Sequence, residues 1–503
     1  MEITLGNVYS KVVAEDFKTL RYHMSIQAEE AWFSPQYKEG KWDGRKYFIT
    51  PSGVFLTGLY SVLRQYCKDN HLKLRVEDNR NIPSFEVPKQ EDIFIDGLSK
   101  RSYQIETIYR ALKIQRGILH LATNAGKTEC ACGIIKYINM KSIFLVHTKE
   151  LLYQTKDRIE DRLKIKCGTV GDSEFNPKEH TVAMVQTIAK RIDAPTLLMK
   201  NWVVKKAELL KENKLLPEME IQHKVKLKKL RQLKQPVMDY LQTLKVIFVD
   251  ECHHQQSNMW MTILKHSPAP FRFGLSGTPF RDNKESDWKL MGMTGRVINQ
   301  VTNQDLIDLG YSAQPYIFIF RYGEREYKKL SYAEGYKLYI INNKRRNLLI
   351  KQIAEGIEGI TLIIVTQILH GQELQKLLPE AIFVSGQETK EVRKQVMVDM
   401  RSNKIKTLIA TTIYDEGVDV PNIHNLIIAC GGKSDIKTIQ RVGRGLRKKK
   451  IGENTLRVFD FYDEWDDYLK EHSQSRMRTY KQQNFPLKII HEGDDVKEKT
   501  KVV

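Results

Sequence analysis

Leu119-His120-Leu121-Ala122-Thr123-Asn124-Ala125-Gly126-Lys127-Thr128 is the stretch on which the reading of this chain turns. The apolar run 117–122 reads as a buried strand. It breaks into a small polar turn, Thr123-Asn124-Ala125-Gly126, and Lys127-Thr128 then opens a helix. Strand, tight turn and helix aim several backbone N–H groups at one spot, where a phosphate chain fits. Lys127 would reach the β/γ-phosphates and the Thr128 hydroxyl would take a place on Mg²⁺. The usual pattern opens with Gly where this chain has Leu121, so the motif carries weight only if the other parts of a nucleotide site follow.

They follow in order. About twenty residues upstream, Tyr103-Gln104 stands just ahead of an expected helix, and its amide could read an adenine edge by two hydrogen bonds. Downstream, the strand-like run 141–147 leads to Thr148-Lys149-Glu150-Leu151 opening a helix, and the run 181–185 leads to Gln186-Thr187. The apolar run 246–249 ends in Asp250-Glu251-Cys252-His253. A buried strand that delivers adjacent acids to its carboxyl end is where a doubly wound sheet places chemistry. Asp250 would hold Mg²⁺ through water, and Glu251 would orient and deprotonate the attacking water. The run 271–275 ends in the polar turn Ser276-Gly277-Thr278-Pro279. Alternating strands and helices in this order predict a mostly parallel sheet.

A second strand–helix series starts after about residue 313. Its strand-like runs are 360–366, 382–384, 407–410 (leading to Thr411-Thr412) and 423–428, followed by a helix carrying Gln440-Arg441-Val442-Gly443-Arg444-Gly445-Leu446-Arg447. No second phosphate loop is present, so this half completes a site rather than owning one. Arg444 and Arg447, spaced i, i+3, would share a helix face and could point together at a γ-phosphate.

The predicted organisation is a small α/β module over 1–90, motor domains over 91–312 and 313–470, and a C-terminal helix and tail over 471–503. In the first module, Asp43-Gly44 predicts a hairpin turn. Trp32, Phe33, Tyr37, Trp42 and Tyr47 interleave with Lys38, Lys41, Arg45 and Lys46. These either grip a nucleic-acid backbone or supply the core of a module this small. An insertion at about 201–241 is basic and helix-patterned, with Pro217 interrupting it. It predicts a projecting helical hairpin, whose charge is a solvated face by default and a duplex or junction contact as the alternative. The acids Asp460, Asp463, Glu464, Asp466 and Asp467 read as a solvated helix start rather than a nuclease site.

Composition agrees with a nucleic-acid partner. The 503 residues hold 81 Lys+Arg against 61 Asp+Glu, a formal charge of +20, with 41% hydrophobic residues. Such an excess favours a polyanion through phosphate contacts and counterion release. No apolar run approaches a membrane span, and no signal-peptide pattern opens the chain. The six cysteines (Cys67, Cys130, Cys132, Cys167, Cys252, Cys430) lack paired spacing. A reducing cytoplasm without structural zinc is therefore expected.

The ordered set resembles the superfamily 2 helicases over about residues 100–465. Phe33-Ser34-Pro35, Gly40-Lys41-Trp42-Asp43-Gly44-Arg45 and Gly58-Leu59 are similar to the phage recombination helicases of that superfamily. The resemblance implies an α/β fold with two tandem RecA-like parallel-sheet domains after a small α/β module, and ATP and Mg²⁺ as cofactors. It implies a nucleotide cradle of Gln104, Thr123, Asn124, Ala125, Gly126, Lys127, Thr128, Gly417 and Asp419. Gln440 would lie near the nucleotide. Thr148, Lys149, Thr187, Thr366 and Thr411 would meet the strand backbone, joined by Trp42, Arg45 and Lys46 of the first module. It further implies 3′-to-5′ movement on branched, forked or partly single-stranded DNA in branch migration and fork regression. The setting would be the cytoplasm of a host cell, with phage or host recombination proteins as partners. An RNA helicase, the motor of a restriction system and a non-hydrolysing DNA-binding scaffold are the alternatives.

Overall fold

The computed structural model describes residues 1–503 except 98, 213, 215, 253–257, 281–282, 323–329, 412–422, 450–452, 495–498 and 501–503, and except the side chains of 258, 390, 435, 436, 440 and 444. It forms two compact units, Met1–Leu121 with Gly126–Gln300, and Val301–Val503 with the short segment Ala122–Ala125.

The first unit holds three sheets among the described residues, one of them only a two-stranded ribbon. A small one has the order Val54–Leu56, Tyr9–Val13, Glu2–Leu5, Arg75–Asp78, covered by the helices Phe17–His23 and Tyr60–Asp69. Strict alternation of buried and exposed residues along Glu2–Leu5 and Tyr9–Val13 marks a sheet with one wet face. The expected hairpin at Asp43-Gly44 does not form. The strand Arg45–Tyr47 pairs with Ser25–Gln27, and two short helical turns, Ala31–Phe33 and Pro35–Lys38, fill the space between them. Gly44, at φ +73°, serves instead to let the Tyr37 ring and the Gln27 amide lie against its backbone.

The large sheet runs Glu174–Asn176, Gly168–Gly171, His180–Met184, Ser142–Val146, Val246–Asp250, Phe271–Ser276, Arg116–Leu121, Val297–Val301. Its central pairings are parallel. The strands Ser142–Val146, Val246–Asp250 and Phe271–Ser276 are buried at every position, as sheets covered on both faces require. Phe144, Phe248 and Phe273 stack across them at centroid separations of 5.7 and 5.5 Å. This order brings the carboxyl ends of the strands carrying the phosphate loop, the paired acids and the Ser276 turn to one edge.

The insertion is a hairpin of two 27-residue helices, Val185–Lys211 and Pro217–Thr243. Each is about 40 Å long. Pro217 does not interrupt a helix but starts one, at the first-turn position where the missing N–H costs nothing. The hairpin begins earlier than expected because its first arm continues without a break from the helix after His180–Met184. Its base is anchored by buried Ile188, Ile192, Val237 and Leu241.

The second unit contains a seven-stranded parallel sheet, ordered Ile382–Val384, Thr407–Thr411, Thr361–Val365, Asn425–Ile428, Thr455–Tyr462, Gln314–Arg321, Leu487–His491. Two readings change here. The segment beyond 471 is not a helix with a tail alone, because Leu487–His491 pairs in parallel with Gln314–Arg321 and closes the sheet. Asp460 and Asp463 are not a solvated helix start either. Both are about 1% exposed, Asp463 paired with the fully buried Arg346 (2.9 Å) and Asp460 with the buried Arg476 (2.9 Å). Only Asp466 and Asp467 keep the expected role, as N-cap and first turn of the helix Asp467–Gln482.

Candidate nucleotide site and nucleic-acid surfaces

The phosphate loop takes the conformation that its small residues allow. The strand Arg116–Leu121 is followed by Asn124 at φ +71° and Gly126 at φ +83°, and the helix Lys127–Ile138 begins at once. Asn is the non-glycine residue that tolerates this left-handed region best, and glycine meets no penalty there. A side chain at Gly126 would run into the amide of Gln104, so the structure brings Gln104 to the loop. Gln104 is buried in the first turn of the helix Ser102–Ile114 rather than ahead of it.

Lys127 forms an ion pair with Glu251. Burial opposes the ammonium charge, but the Glu251 and Asp250 carboxylates outweigh it and raise the lysine above its usual range. Asp250 ends its strand buried. Burial, then the neighbouring Glu251 charge, pushes its carboxyl up to about 6. Glu251 sits at φ +44°, a backbone state that a side-chain-bearing residue adopts at a cost. The turn after Phe271–Ser276 joins this cluster: Ser276 Oγ donates to Glu251 Oε2 (3.4 Å), and Thr278 N–H donates to Ser276 Oγ (3.1 Å).

Two residues of the cluster were not singled out from sequence. His120 Nε2–H donates to the Gly277 carbonyl (3.0 Å), tying the phosphate-loop strand to the Ser276 turn. Burial lowers its pKa, which keeps it neutral. Glu129, next to Thr128, is buried and paired with Arg158 (3.2 Å) and Arg162 (2.9 Å), locking the loop's helix to the helix Lys149–Leu163. An acid in an otherwise apolar helix, facing an Arg pair spaced i, i+4, was the available signal.

The expected nucleic-acid contacts divide. Thr148 caps the helix Lys149–Leu163 through the Leu151 N–H (3.2 Å), Lys149 pairs with Asp172 (2.7 Å), and Thr187 is half-buried in the first turn of its helix. Arg45, half-buried, is engaged within its own module: it donates to Ser25 Oγ (2.7 Å) and stacks 4.0 Å from the Tyr22 ring centroid. Lys46 pairs with Glu285 (2.5 Å), and the Trp42 indole N–H donates to the Arg45 carbonyl (3.0 Å). Trp32 and Phe33, by contrast, are 65% and 82% exposed.

In the second unit Thr366 is exposed and lines a cavity with Lys433, Lys437 and Arg441, whereas Thr411 is buried. The helix Asp435–Gly445 ends before Arg447, whose backbone instead bridges to Ser312. Arg444 and Arg447 therefore do not share a helix face. Gly445 is packed against Leu456 and Leu446 closes the helix, which turns the chain away before the second arginine. The side chains of Gln440 and Arg444 lie outside the described residues, as do Gly417 and Asp419 entirely.

Comparison with known proteins matches three family models: "DNA helicase UvsW, N-terminal" over 6–77, "Type III restriction enzyme, res subunit" over 97–281, and "Helicase conserved C-terminal domain" over 339–449. The chain is 24% identical to the ATP-dependent DNA helicase uvsW of Enterobacteria phage T4, over 94% of this chain and 91% of that one. It is also 24% identical to the DNA 3′-5′ translocase XPB2 of Sulfurisphaera tokodaii, over 78% of this chain and 86% of that one. The solved ATP-dependent Type ISP restriction-modification enzyme LlaBIII bound to DNA is similar in fold, at TM-score 0.54 and 12% identity, over 87% of this chain and 34% of that one.

Proposed function

The chain belongs to the superfamily 2 helicases, an ATP-dependent helicase and translocase family, as a relative of UvsW, and from this we propose that it hydrolyses ATP to move on DNA and remodels branched DNA by branch migration, fork regression and unwinding. The observation that carries the reading is the meeting of Lys127, Asp250, Glu251 and the Ser276 turn at the carboxyl ends of adjacent parallel strands. That is where a doubly wound sheet does its chemistry.

The residues fit the nucleotide and its ion. Gln104 lies against the loop for the base, the loop's N–H groups and Lys127 serve the phosphates, and the buried Asp250 carboxyl with the Thr128 hydroxyl suits Mg²⁺. When bound, MgATP supplies the phosphoryl group whose transfer to water drives movement. In the chain itself, Lys127 balances charge on the phosphates. Glu251, held by Ser276, orients the attacking water and takes its proton. Gln440, Arg444 and Arg447 are the further catalytic residues we assign within the second unit.

The deciding measurement is ATP turnover by the wild type and by Lys127→Ala, with single strand, duplex, four-way junction or RNA added. Strongest stimulation by branched DNA, lost in the variant, supports the reading. Stimulation by RNA alone would move the substrate to RNA, through contacts to the 2′-OH. The restriction-motor alternative is weakened by Asp460 and Asp463, since both carboxylates are taken up by buried arginines rather than offered to a metal.

A further inference from the structure

A groove of about 700 Å³ opens between the helix Tyr60–Asp69 of the small module and the start of the phosphate-loop strand. Its lining includes Arg64, Lys68, Arg80, Arg116 and Arg296, and none of its lining residues is acidic among the described residues. We propose that this groove binds the phosphate backbone of nucleic acid, as a second contact distinct from the nucleotide site and from the threonines expected to meet the translocated strand. The proposal deepens the DNA-motor reading and rests on it for the identity of the polyanion.

Three observations carry it. First, the walls are rigidly joined. Arg116 donates to the carbonyls of Asn7 (3.1 Å), Thr294 (3.0 Å) and Met293 (3.2 Å), Asn7 Nδ2 donates to the Pro268 carbonyl (2.7 Å), and the Gly58 backbone lies against the Met291 and Gly292 carbonyls. The groove is a built feature of one packed unit.

Second, its charge is not neutralised internally. Arg80 pairs with Asp78 (2.6 Å), but Arg64, Lys68, Arg116 and Arg296 make no ion pair among the described residues. The buried Arg116 has only carbonyl partners, and a second buried cation, Arg272, is likewise held by the carbonyls of Ala269 and Leu264. The other unit handles the same problem differently at Arg346 and Arg476, giving each of these two buried arginines a buried aspartate. Burial, then the Arg272 and Arg80 charges, lowers the Arg116 guanidinium well below its ordinary range.

Third, the groove's place and size argue for a strand. It lies at the amino end of Arg116–Leu121, and six residues of strand, about 20 Å, separate it from the phosphate loop. Arg64 and Lys68 are exposed one helical turn apart and so face the same way, as a run of phosphates would meet them.

The test uses the full chain with Arg64→Glu/Lys68→Glu on one wall and Arg296→Glu on the other, with Arg64→Gln/Lys68→Gln as a milder control of folding. Affinity for a labelled four-way junction is measured against salt, beside ATP turnover on a short single strand. The expected result is affinity for the junction about tenfold or more weaker, with a salt dependence shallower by about two counterions in the double variant. Turnover on the short strand stays unchanged. Unaltered junction affinity and salt dependence in both charge-reversed variants would overturn the proposal. So would lost binding of tripolyphosphate with unaltered DNA binding, which would make the groove a small-anion site. Wild-type protein that binds the junction through these residues but turns over no ATP would leave the groove standing and sink the motor reading instead.

Discussion

Lys127 and Glu251, 124 residues apart, meet as ammonium and carboxylate at the edge of the first parallel sheet, each side chain 18% exposed. The pair sets a competition. On the function proposed above, a triphosphate recruiting Lys127 would draw it from Glu251 and so free the carboxylate to act on water.

Glu251→Gln removes that competitor while keeping the shape of the side chain. We expect ATP turnover to fall ~10²–10⁴-fold, the range for loss of a positioned base, with nucleotide affinity equal to or severalfold tighter than wild type. Lys127→Ala should lose both. Phosphate release and titration with a fluorescent ATP analogue separate the two outcomes.

Arg346 and Asp463 are 0% and 1% exposed, and Tyr322 also donates to Asp463 (2.8 Å). Removing one partner leaves a buried charge alone, so Asp463→Ala should cost about 3–5 kcal/mol of stability in the second unit. Denaturant titration should show the lower midpoint. The paired change Arg346→Met/Asp463→Leu should recover most of the loss.

His370 is fully buried, donating through Nε2–H to Asn347 Oδ1 (3.0 Å). Burial, then the Arg346 charge, lowers its pKa from 6.5 to about 3. The unfolded chain therefore takes up a proton below 6.5 that the folded chain refuses until about 3. The stability this group contributes is complete above 6.5 and lost as pH falls through that window, at up to about 1.4 kcal/mol per pH unit. His370→Gln should flatten this part of the stability curve measured by urea at pH 7, 6 and 5.

The hairpin tip is held by the Trp202–His223 stack (4.5 Å) and the Lys206–Glu220 pair, apart from the anchored base. Replacing residues 199–231 by a short Gly-Ser linker should leave the fold and single-strand-stimulated turnover intact. Junction affinity should drop severalfold and its salt dependence should weaken, because several exposed Lys and Arg leave with the tip. Unchanged salt dependence would return the hairpin to a merely solvated face.

Much of the local structure of the candidate nucleotide site was legible because its parts are local. A strand, a left-handed turn at Asn124 and Gly126, and Lys127 at the head of a helix are consecutive in the chain. So are the buried strand and the acids Asp250 and Glu251 that end it. Each follows from hydrophobic run length, small residues where φ is positive, and polar residues at strand ends.

Whether a charged side chain faces water or another element depends on partners far away in sequence, and here local pattern misled. Asp460 and Asp463 look like surface acids until Arg476 and Arg346 arrive from other helices. Arg45 and Lys46 read from sequence as unengaged cations, whereas Ser25, Tyr22 and Glu285 hold them. By itself the sequence determined the order of strands and helices and the chemistry at their ends, since both rest on short-range periodicity and backbone sterics. Only the tertiary structure decided which charges are spent on one another and which, like those of Arg64, Lys68 and Arg296 around a groove, make no ion pair among the described residues. The reason is physical: ion pairing and desolvation are set by distances through space, which no spacing along the chain encodes.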